Sequence, residues 1–322
     1  MPYLTSPDSM TKDCMDGLAI IYPDLVETLP ESYNGRALLR TPIDSDRVNL
    51  IVSAGGAGGP FAESFVTSSG LCDVSINGGP CAAPSAYDIY EAAKHINSSH
   101  GYLLMCNNFM GDNLNNDLAA ELLGLENLKA RLVTFKDDCL SVPPEAPRSE
   151  RTGLIGGILY GTKIAAAAAR SGATLDELVD LIEHYNTRVS SMIVSFDFEK
   201  QHIMLGEGIS GEPARLFFEN CFTLEDAARI SYDHLYQDLN PQPNEKIYFL
   251  INRLVPTYYE DVYAFTKFID QHAKTKHPIE QFSVGHFQRM SESYGFCVTM
   301  FCADEKLNQY MNKRCITESF IL

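Results

Sequence analysis

The sequence predicts an α/β protein of two domains, the first built on a mostly parallel sheet with helices on both faces and the second a smaller α+β domain. Short β-rich runs alternate with helical segments up to about residue 188. Beyond that point the β runs lengthen and the pattern changes. A chain of 322 residues, 45% of them hydrophobic, is long enough to form two modest cores. We therefore expect domains over residues 1–188 and 189–322.

The first domain is predicted to open with an amphipathic helix over residues 9–22. Its strands are expected at 48–53, 72–76, 101–106 and 130–135. Its further helices are expected at 62–66, 85–95, 116–123, 153–169 and 174–185. Ser85 is the predicted N-cap of one helix, and Thr174 with Glu177 forms a capping box on another. Short connections between alternating strands and helices favour parallel neighbours.

The second domain is predicted from longer β runs separated by two helices. Strands are expected at 192–196, 246–254, 282–287 and 296–302, and helices at 224–235 and 261–273. The Pro- and Asn-containing stretch 240–244 is too short to tether separate domains, so we interpret it as a loop.

Charge and cysteine content exclude several classes of function. The net charge is −17, and no basic run offsets it, so direct binding to nucleic acid or to anionic lipid is not expected. No apolar stretch reaches the roughly 20 residues of a membrane-spanning helix. Nine cysteines without a Cys-x-x-Cys motif or a secretion signal predict reduced thiols and a cytoplasmic protein.

The first candidate site is a glycine cluster after the strand at 48–53, formed by Gly55, Gly56, Gly58 and Gly59. Glycines allow the backbone to approach a ligand and to direct N–H groups at its oxygens. The cluster lacks the Lys-Ser/Thr of a phosphate-binding P-loop. A tight turn required only for packing is an equally good interpretation.

The second candidate is the polar segment 107–113, which follows a strand at the sheet edge where α/β proteins bind ligands. Asp112 is its candidate site residue. The spacing by itself favours a different role for Asp112, as a helix N-cap, and the same interpretation applies to Asp73 and Asp88.

The third candidate is the loop 206–213, which holds Ser210 between glycines and ends in Glu212 and Pro213. Ser210 has no nucleophile-elbow setting and no histidine beside it, and a plain turn is the alternative. Asp137 and Asp138 are adjacent acids that could hold a metal, but surface solvation is the favoured use. The eight histidines show no metal-ligand spacing, so no metal site is expected.

In this order, the three loops resemble those of the dihydroxyacetone-binding K subunit of dihydroxyacetone kinase. That family carries Gly-Gly-Gly-Ser-Gly-His-Glu-Pro, Lys-Asn-Tyr-Thr-Gly-Asp and Gly-Ile-His-Gly-Glu-Pro. The corresponding stretches here are 54–61, 107–112 and 208–213. The match continues through 153–172 and the Ile-Tyr-Phe-Leu-Ile-Asn-Arg-Leu segment 247–254, and so covers essentially the whole chain.

The resemblance implies a cytoplasmic homodimer with a Rossmann-like first domain and a smaller α+β second domain. In the family, one histidine binds the ketone covalently, while a second histidine and an aspartate act on the hydroxyl that is phosphorylated. The phosphoryl group comes from ADP or ATP, with magnesium, on a separate partner subunit, so no cofactor is expected in this chain.

Carried over to this sequence, the aspartate of the family matches Asp112, the possible base. The two histidines fall on Gly59 and Ser210, and the lysine of the second motif falls on Asn107. A loop that the family carries between Phe196 and Leu205 is missing. The implied substrate-binding set is Gly56, Ala57, Gly58, Gly59, Asn107, Asp112 and Ser210. Neither glycine nor serine can replace the histidines chemically.

Three hypotheses follow. The favoured one is a binding or regulatory paralogue that senses a triose or related polyol and acts through a protein partner such as a TetR-type regulator. The alternative is a kinase subunit with Asp112 as general base and a donor on a partner subunit. A third is an obligate partner that keeps only the dimer surface. His202 is close to Ser210 in sequence, but a solvated strand position is favoured for it.

Overall fold

The computed structural model describes residues 6, 9–29, 36–56, 71–80, 82–288, 290 and 292–313, and the chain divides into two units. Unit 1 comprises residues 1–135, 158–184 and 310–322, and unit 2 comprises 136–157 and 185–309. The expected cut after residue 188 is a single boundary, whereas each unit is assembled from separate stretches of chain. The helix expected at 62–66 lies outside the described residues.

Unit 1 contains a six-stranded sheet in the order β1-β2-β4-β3-β5-β6. The strands are β1 (Val26–Thr28), β2 (Ala37–Arg40), β3 (Asn49–Gly56), β4 (Val74–Pro80), β5 (Tyr102–Asn107) and β6 (Ala130–Phe135). β3 pairs in parallel with β4 and β5, and β5 with β6. β1 and β2 are antiparallel additions that the sequence analysis missed. The expectation of a mostly parallel sheet is therefore confirmed.

Helices cover both faces of this sheet. They are α1 (Met10–Ile21), α2 (Ala86–Ile96), α3 (Met110–Leu125), α4 (Ile155–Arg170, in unit 1 from Ile158) and α5 (Leu175–Asn186, in unit 1 up to His184). α2 and α3 share a core with Leu39 of β2, whereas α1 packs with Leu38. Successive strand residues point to opposite faces, so α1 lies on the other face from α2 and α3.

Unit 2 contains a mostly antiparallel sheet in the order β11-β10-β12-β7-β8-β9. Its strands are β7 (Val189–Asp197), β8 (His202–Leu205), β9 (Leu216–Phe218), β10 (Lys246–Arg253), β11 (Ile279–Gly285) and β12 (Gly295–Ala303). Its helices are α6 (Leu224–Leu239), α7 (Tyr259–Ala273) and the start of α8 (Glu305–Met311). α6 and α7 build one large core with β7, β10 and β12. The predicted α+β character is confirmed.

The described cysteines are all free thiols, as the sequence analysis expected. Cys81 and Cys315 lie outside the described residues.

Candidate functional site

The carboxyl edge of the unit 1 sheet contains a switch point in the chain path. From β3 the chain connects to β4 on one side, whereas from the neighbouring strand β5 it connects to β6 on the opposite side. Adjacent parallel strands whose connections leave in opposite directions open a crevice at their carboxyl ends, where ligands bind in such folds. Here that crevice lies between the end of β3 and Asn107, the last residue of β5.

Glycines let the chain close tightly over the ends of β3 and β4. A Cβ atom on Gly55 would lie 2.0 Å from the carbonyl oxygen of Ala82, and one on Gly78 would lie 1.9 Å from it. At Gly55 the structure therefore supports the packing interpretation. Gly56 ends β3 opposite Pro80. Ala57, Gly58 and Gly59 lie outside the described residues, so their proposed part in a ligand cradle stays a prediction.

Asp112 lies in the first turn of α3 with its side chain only 6% exposed. The N-cap of α3 is Phe109, so the interpretation of Asp112 as a cap is wrong. Its Oδ1 has no hydrogen-bond partner among the described residues. Burial raises the pKa of Asp112 to about 7, against a smaller lowering by its own backbone N–H. Near neutral pH the carboxyl group can therefore accept or release a proton.

Asn107 presents a second buried acceptor in the same β5–α3 segment. Its side chain is 4% exposed, and its Oδ1 also has no partner among the described residues. Buried acceptors without partners are costly unless a ligand or water satisfies them. The Oδ1 atoms of Asp112 and Asn107 therefore suit a ligand whose hydroxyl groups donate hydrogen bonds.

A buried polar pair that the sequence analysis missed ties this segment to β3. The Asn116 Nδ2 donates to Ser53 Oγ at 2.7 Å and to the Asp112 carbonyl oxygen at 2.8 Å, and both side chains are fully buried. Ser53 is the one hydroxyl residue in the apolar run of β3, and this was the only sequence signal available for the pair.

Ser210 lies in a compact turn of unit 2 that joins β8 to β9. The N–H of Ser210 donates to Glu212 Oε2 at 2.9 Å, and the N–H of Gly208 donates to the Glu212 carbonyl oxygen at 2.9 Å. The Ser210 side chain is exposed. Glu212 therefore stabilises the turn through its side chain and its carbonyl oxygen, and the Ser210 side chain faces solvent.

His202 is held at the end of β8 remote from this turn. It pairs with Asp197 of β7, whereas the turn leaves β8 after Leu205, which pairs with Val194. Three strand residues span about 10 Å. His202 occupies a strand position, as favoured from the sequence, but its side chain is half-buried rather than solvated.

Asp137 and Asp138 are buried in unit 2, so the expectation that they are solvated at the surface is wrong. Asp137 accepts the backbone N–H groups of Leu154 and Gly157, each at 2.9 Å, and the hydroxyl of Ser191. It satisfies donors at the start of α4 and has a structural role. Burial raises the pKa of Asp138 to about 7.

Within the described ranges no group of three or more His, Cys, Asp or Glu side chains is arranged to hold a metal ion. None of the helices in this part of the chain is long and apolar enough to cross a bilayer.

Comparison with known proteins identifies the family. A family model described as the Dak1 domain matches residues 16–319. The chain belongs to the Dak1 family. The expected resemblance to the dihydroxyacetone-binding subunit is confirmed at this level.

Curated relatives of this Dak1 chain are named as kinases or kinase subunits. An L-erythrulose 1-kinase of Mycolicibacterium smegmatis is 26% identical over 328 residues, which cover 95% of this chain and 55% of that kinase. A Listeria innocua protein named PTS-dependent dihydroxyacetone kinase 1, dihydroxyacetone-binding subunit DhaK, is 27% identical, with 94% of each chain covered. This chain thus spans about half of the first relative and nearly all of the second.

Solved structures share the fold of this Dak1 chain. One described as regulation of the dha operon of Lactococcus lactis has a TM-score of 0.85 at 22% identity and covers 96% of this chain and 95% of that one. The dihydroxyacetone kinase from C. freundii has a TM-score of 0.86 at 20% identity, covering 98% of this chain and 60% of that one. The dihydroxyacetone kinase operon co-activator DhaQ has a TM-score of 0.83 at 22% identity, and the match covers 94% of this chain and 96% of that one. These similarities confirm the predicted fold class.

Proposed function

We propose that this Dak1 protein binds dihydroxyacetone or a related small polyol at the carboxyl edge of the unit 1 sheet, and acts through a protein partner. The observation that carries the proposal is the buried carboxyl group of Asp112, which has one oxygen without a hydrogen-bond partner in the described part of the chain and a pKa raised to about 7. A hydroxyl group of the ligand would donate to this oxygen, and a second would donate to Asn107 Oδ1.

The proposal includes impaired catalysis. Gly59 and Ser210 stand where the resemblance places the two family histidines. The described residues at the sheet edge, in 53–56, 77–80, 82–84 and 106–112, include no histidine. Loss of one acid–base group lowers a rate by about 10²–10⁴, and loss of a covalent anchor would lower it further. An exposed serine hydroxyl would form only a labile hemiketal with a ketone.

A second candidate is an active glycerone kinase subunit that phosphorylates a triose or a related substrate. The observation in its favour is again Asp112, because a carboxyl group with a pKa near 7 suits a general base. In this case ADP or ATP with magnesium would be held by a separate subunit. The kinase names of the relatives agree with this second function, but they describe those proteins.

Calorimetry with matched variants tests the binding site. Asp112→Ala is expected to weaken dihydroxyacetone binding about ten-fold or more, because it removes a buried hydrogen-bond acceptor. Asp117→Ala, an exposed carboxylate on the same helix, is the control and should bind like the wild type. Equal affinities of the two variants would rule out Asp112 as a ligand contact.

Turnover separates the two candidate functions. The chain, a dihydroxyacetone kinase donor subunit and ATP or a phospho-donor are mixed with dihydroxyacetone, and phosphorylated product is assayed alongside the intact mass of the protein. Binding without adduct or product supports the regulatory function. Product formation that Asp112→Asn abolishes would establish the kinase instead.

The partner and the oligomeric state complete the proposal. We propose a homodimer that associates with a TetR-type regulator or a kinase subunit when ligand is bound. Analytical ultracentrifugation measures whether the protein is a homodimer. Co-purification with such a regulator should require dihydroxyacetone, and association that ignores the ligand would contradict the sensing role.

A further inference from the structure

The first turn of α3 leaves two backbone donors free at the candidate site. Its N-cap, Phe109, makes no side-chain hydrogen bond to the helix. The N–H of Phe109 donates to the Asn107 carbonyl oxygen at 2.8 Å, and the ladder of the helix begins with the N–H of Asn113. The N–H groups of Met110 and Gly111 have no acceptor among the described residues. A helix of 16 residues therefore directs two free donors at the sheet edge.

Two buried side chains at the same end of the helix indicate that a ligand binds there. The Asp112 carboxyl group is 6% exposed and accepts the N–H of its own residue, which holds it over the first turn. Asn107, 4% exposed, ends β5 two residues before the N-cap. The Oδ1 atom of each lacks a partner in the described part of the chain. Buried acceptors are costly unless something donates to them, so the ligand must donate hydrogen bonds as well as accept them.

The charges at the sheet edge favour a neutral acceptor for the two N–H groups. The described residues there, in 53–56, 77–80, 82–84 and 106–112, include no Lys, Arg or His. A phosphate or carboxylate group at the start of α3 would therefore lie beside Asp112 with no cationic side chain to offset the repulsion. An uncharged carbonyl oxygen avoids this cost. It has two lone pairs and no hydrogen of its own to place, so it can accept both N–H groups.

We propose that the N–H groups of Met110 and Gly111 bind the ketone oxygen of the ligand, and so select a ketone over the corresponding alcohol without a covalent bond. The inference rests on the proposed function, because it assigns a further contact in the same site. Dihydroxyacetone fits the whole set. Its two hydroxyl groups can donate to the Oδ1 atoms of Asp112 and Asn107, while its carbonyl oxygen accepts from the helix.

Met110→Pro removes one of these donors and spares the helix. Proline is favoured at the first helical position, where its missing N–H takes no part in the helix. The residue before a proline must be extended, and Phe109 already has φ −120° and ψ 143°. The Met110 side chain is 79% exposed, so its loss disturbs no core. Met110→Ala, which keeps the N–H, is the matched control, and the wild type and both variants should have similar melting temperatures.

Calorimetry of these three proteins with dihydroxyacetone, and with glycerol as a competitor, measures the selection. Glycerol has the same carbon chain with a hydroxyl group in place of the carbonyl. The wild type and Met110→Ala should prefer dihydroxyacetone. Met110→Pro should weaken dihydroxyacetone binding about three- to ten-fold and glycerol binding less, because a hydrogen bond to the carbonyl is lost. No preference in the wild type, an equal loss for both ligands, or no loss for either would overturn the inference.

NMR of dihydroxyacetone labelled with ¹³C at its carbonyl carbon observes the ketone directly. Hydrogen bonds to the oxygen withdraw electrons from this carbon, so its signal should move downfield on the wild type and Met110→Ala, and less on Met110→Pro. A signal in the range of tetrahedral carbon would reveal a covalent adduct and contradict the proposal. Dihydroxyacetone that binds without selection leaves the proposed function standing, whereas a wild type that binds none removes both.

Discussion

At the scale of single residues, the sequence located Asp112 but not its role. Its position after a strand predicted a site at the sheet edge, while its position before a helix favoured a cap. The structure places it inside the helix and buried. The cap expected at Asp73 is also absent, since its carboxylate accepts hydrogen bonds from the Arg47 guanidinium and from the N–H of Leu50 rather than capping a helix. Burial depends on distant parts of the chain, so local spacing could not distinguish these roles.

Asp112→Asn is expected to stabilise the protein at alkaline pH. The pKa of Asp112 is about 7 in the folded protein and near 3.8 when unfolded, so between these values the folded state holds a proton that the unfolded chain has lost. Wild-type stability therefore falls as pH rises through this window. The variant should lack that loss and gain about 1–3 kcal/mol at pH 8.

Urea unfolding of the wild type and the variant at pH 5 and pH 8 measures this difference. Asp117→Asn, at an exposed position on the same helix, is the control and should change little at either pH. A variant no more stable than the wild type at pH 8 would show that Asp112 ionises without cost. The contribution of Asp138, whose pKa is also raised to about 7, is common to both proteins and cancels.

At the scale of elements, strong periodic segments were predictable and weak ones were not. β6 was predicted with its observed bounds, and α2 begins after its predicted cap Ser85, which accepts the N–H of Asp88. β1, β2 and β9 are three or four residues long, too short for a periodic signal. α3 was expected from residue 116 but begins at Met110, because its Asn- and Gly-containing first turns have low helix propensity and are stabilised by packing.

The buried pair between β3 and α3 should be energetically coupled. Ser53→Ala and Asn116→Ala each leave a buried partner unsatisfied and should cost about 1–3 kcal/mol. The double variant should cost less than the sum of the two by about 0.5–3 kcal/mol. Chemical denaturation of the four proteins gives the cycle. Simple additivity would mean that the hydrogen bond between the two side chains contributes nothing to stability.

Gly156 at the start of α4 should not tolerate a side chain. A Cβ atom there would lie 2.2 Å from Thr299 Cγ2 and Oγ1, so Gly156→Ala forces the buried strand β12 to shift and should destabilise by about 1–3 kcal/mol. Gly124→Ala in α3 is the matched control, since nothing lies within 4 Å of that Cβ. It should stabilise by up to about 1 kcal/mol. Thermal melts compare them, and equal changes would contradict the packing described at Gly156.

At the scale of the whole molecule, the sequence predicted an α/β domain and a smaller α+β domain but not how the chain is distributed between them. Residues 136–157 group with unit 2, and 310–322 group with unit 1. Such grouping is decided by long-range contacts such as that of Asp137 with Ser191, which no local pattern contains. The candidate site was predictable in outline because switch points follow from strand order, which the alternation of elements constrains.

The acidic balance of the chain should make its stability depend on salt. With a net charge of −17, self-repulsion opposes the compact state, and salt screens it. The melting temperature should rise by about 1–2 °C between roughly 20 mM and 300 mM NaCl. Potassium chloride serves as a control for ion identity. A fall in melting temperature would mean that screened ion pairs outweigh the repulsion.

The central claim is that Asp112 is a buried carboxyl group that has a pKa near 7 and contacts the ligand. The most direct test is an NMR pH titration of the protein with ¹³C-labelled aspartate, assigned with Asp112→Asn and recorded with and without dihydroxyacetone. We predict a midpoint near pH 7 in the free protein. Dihydroxyacetone should lower it, because a hydroxyl hydrogen bond favours the charged carboxylate. A midpoint near 4, or one that dihydroxyacetone leaves unmoved, would contradict this claim.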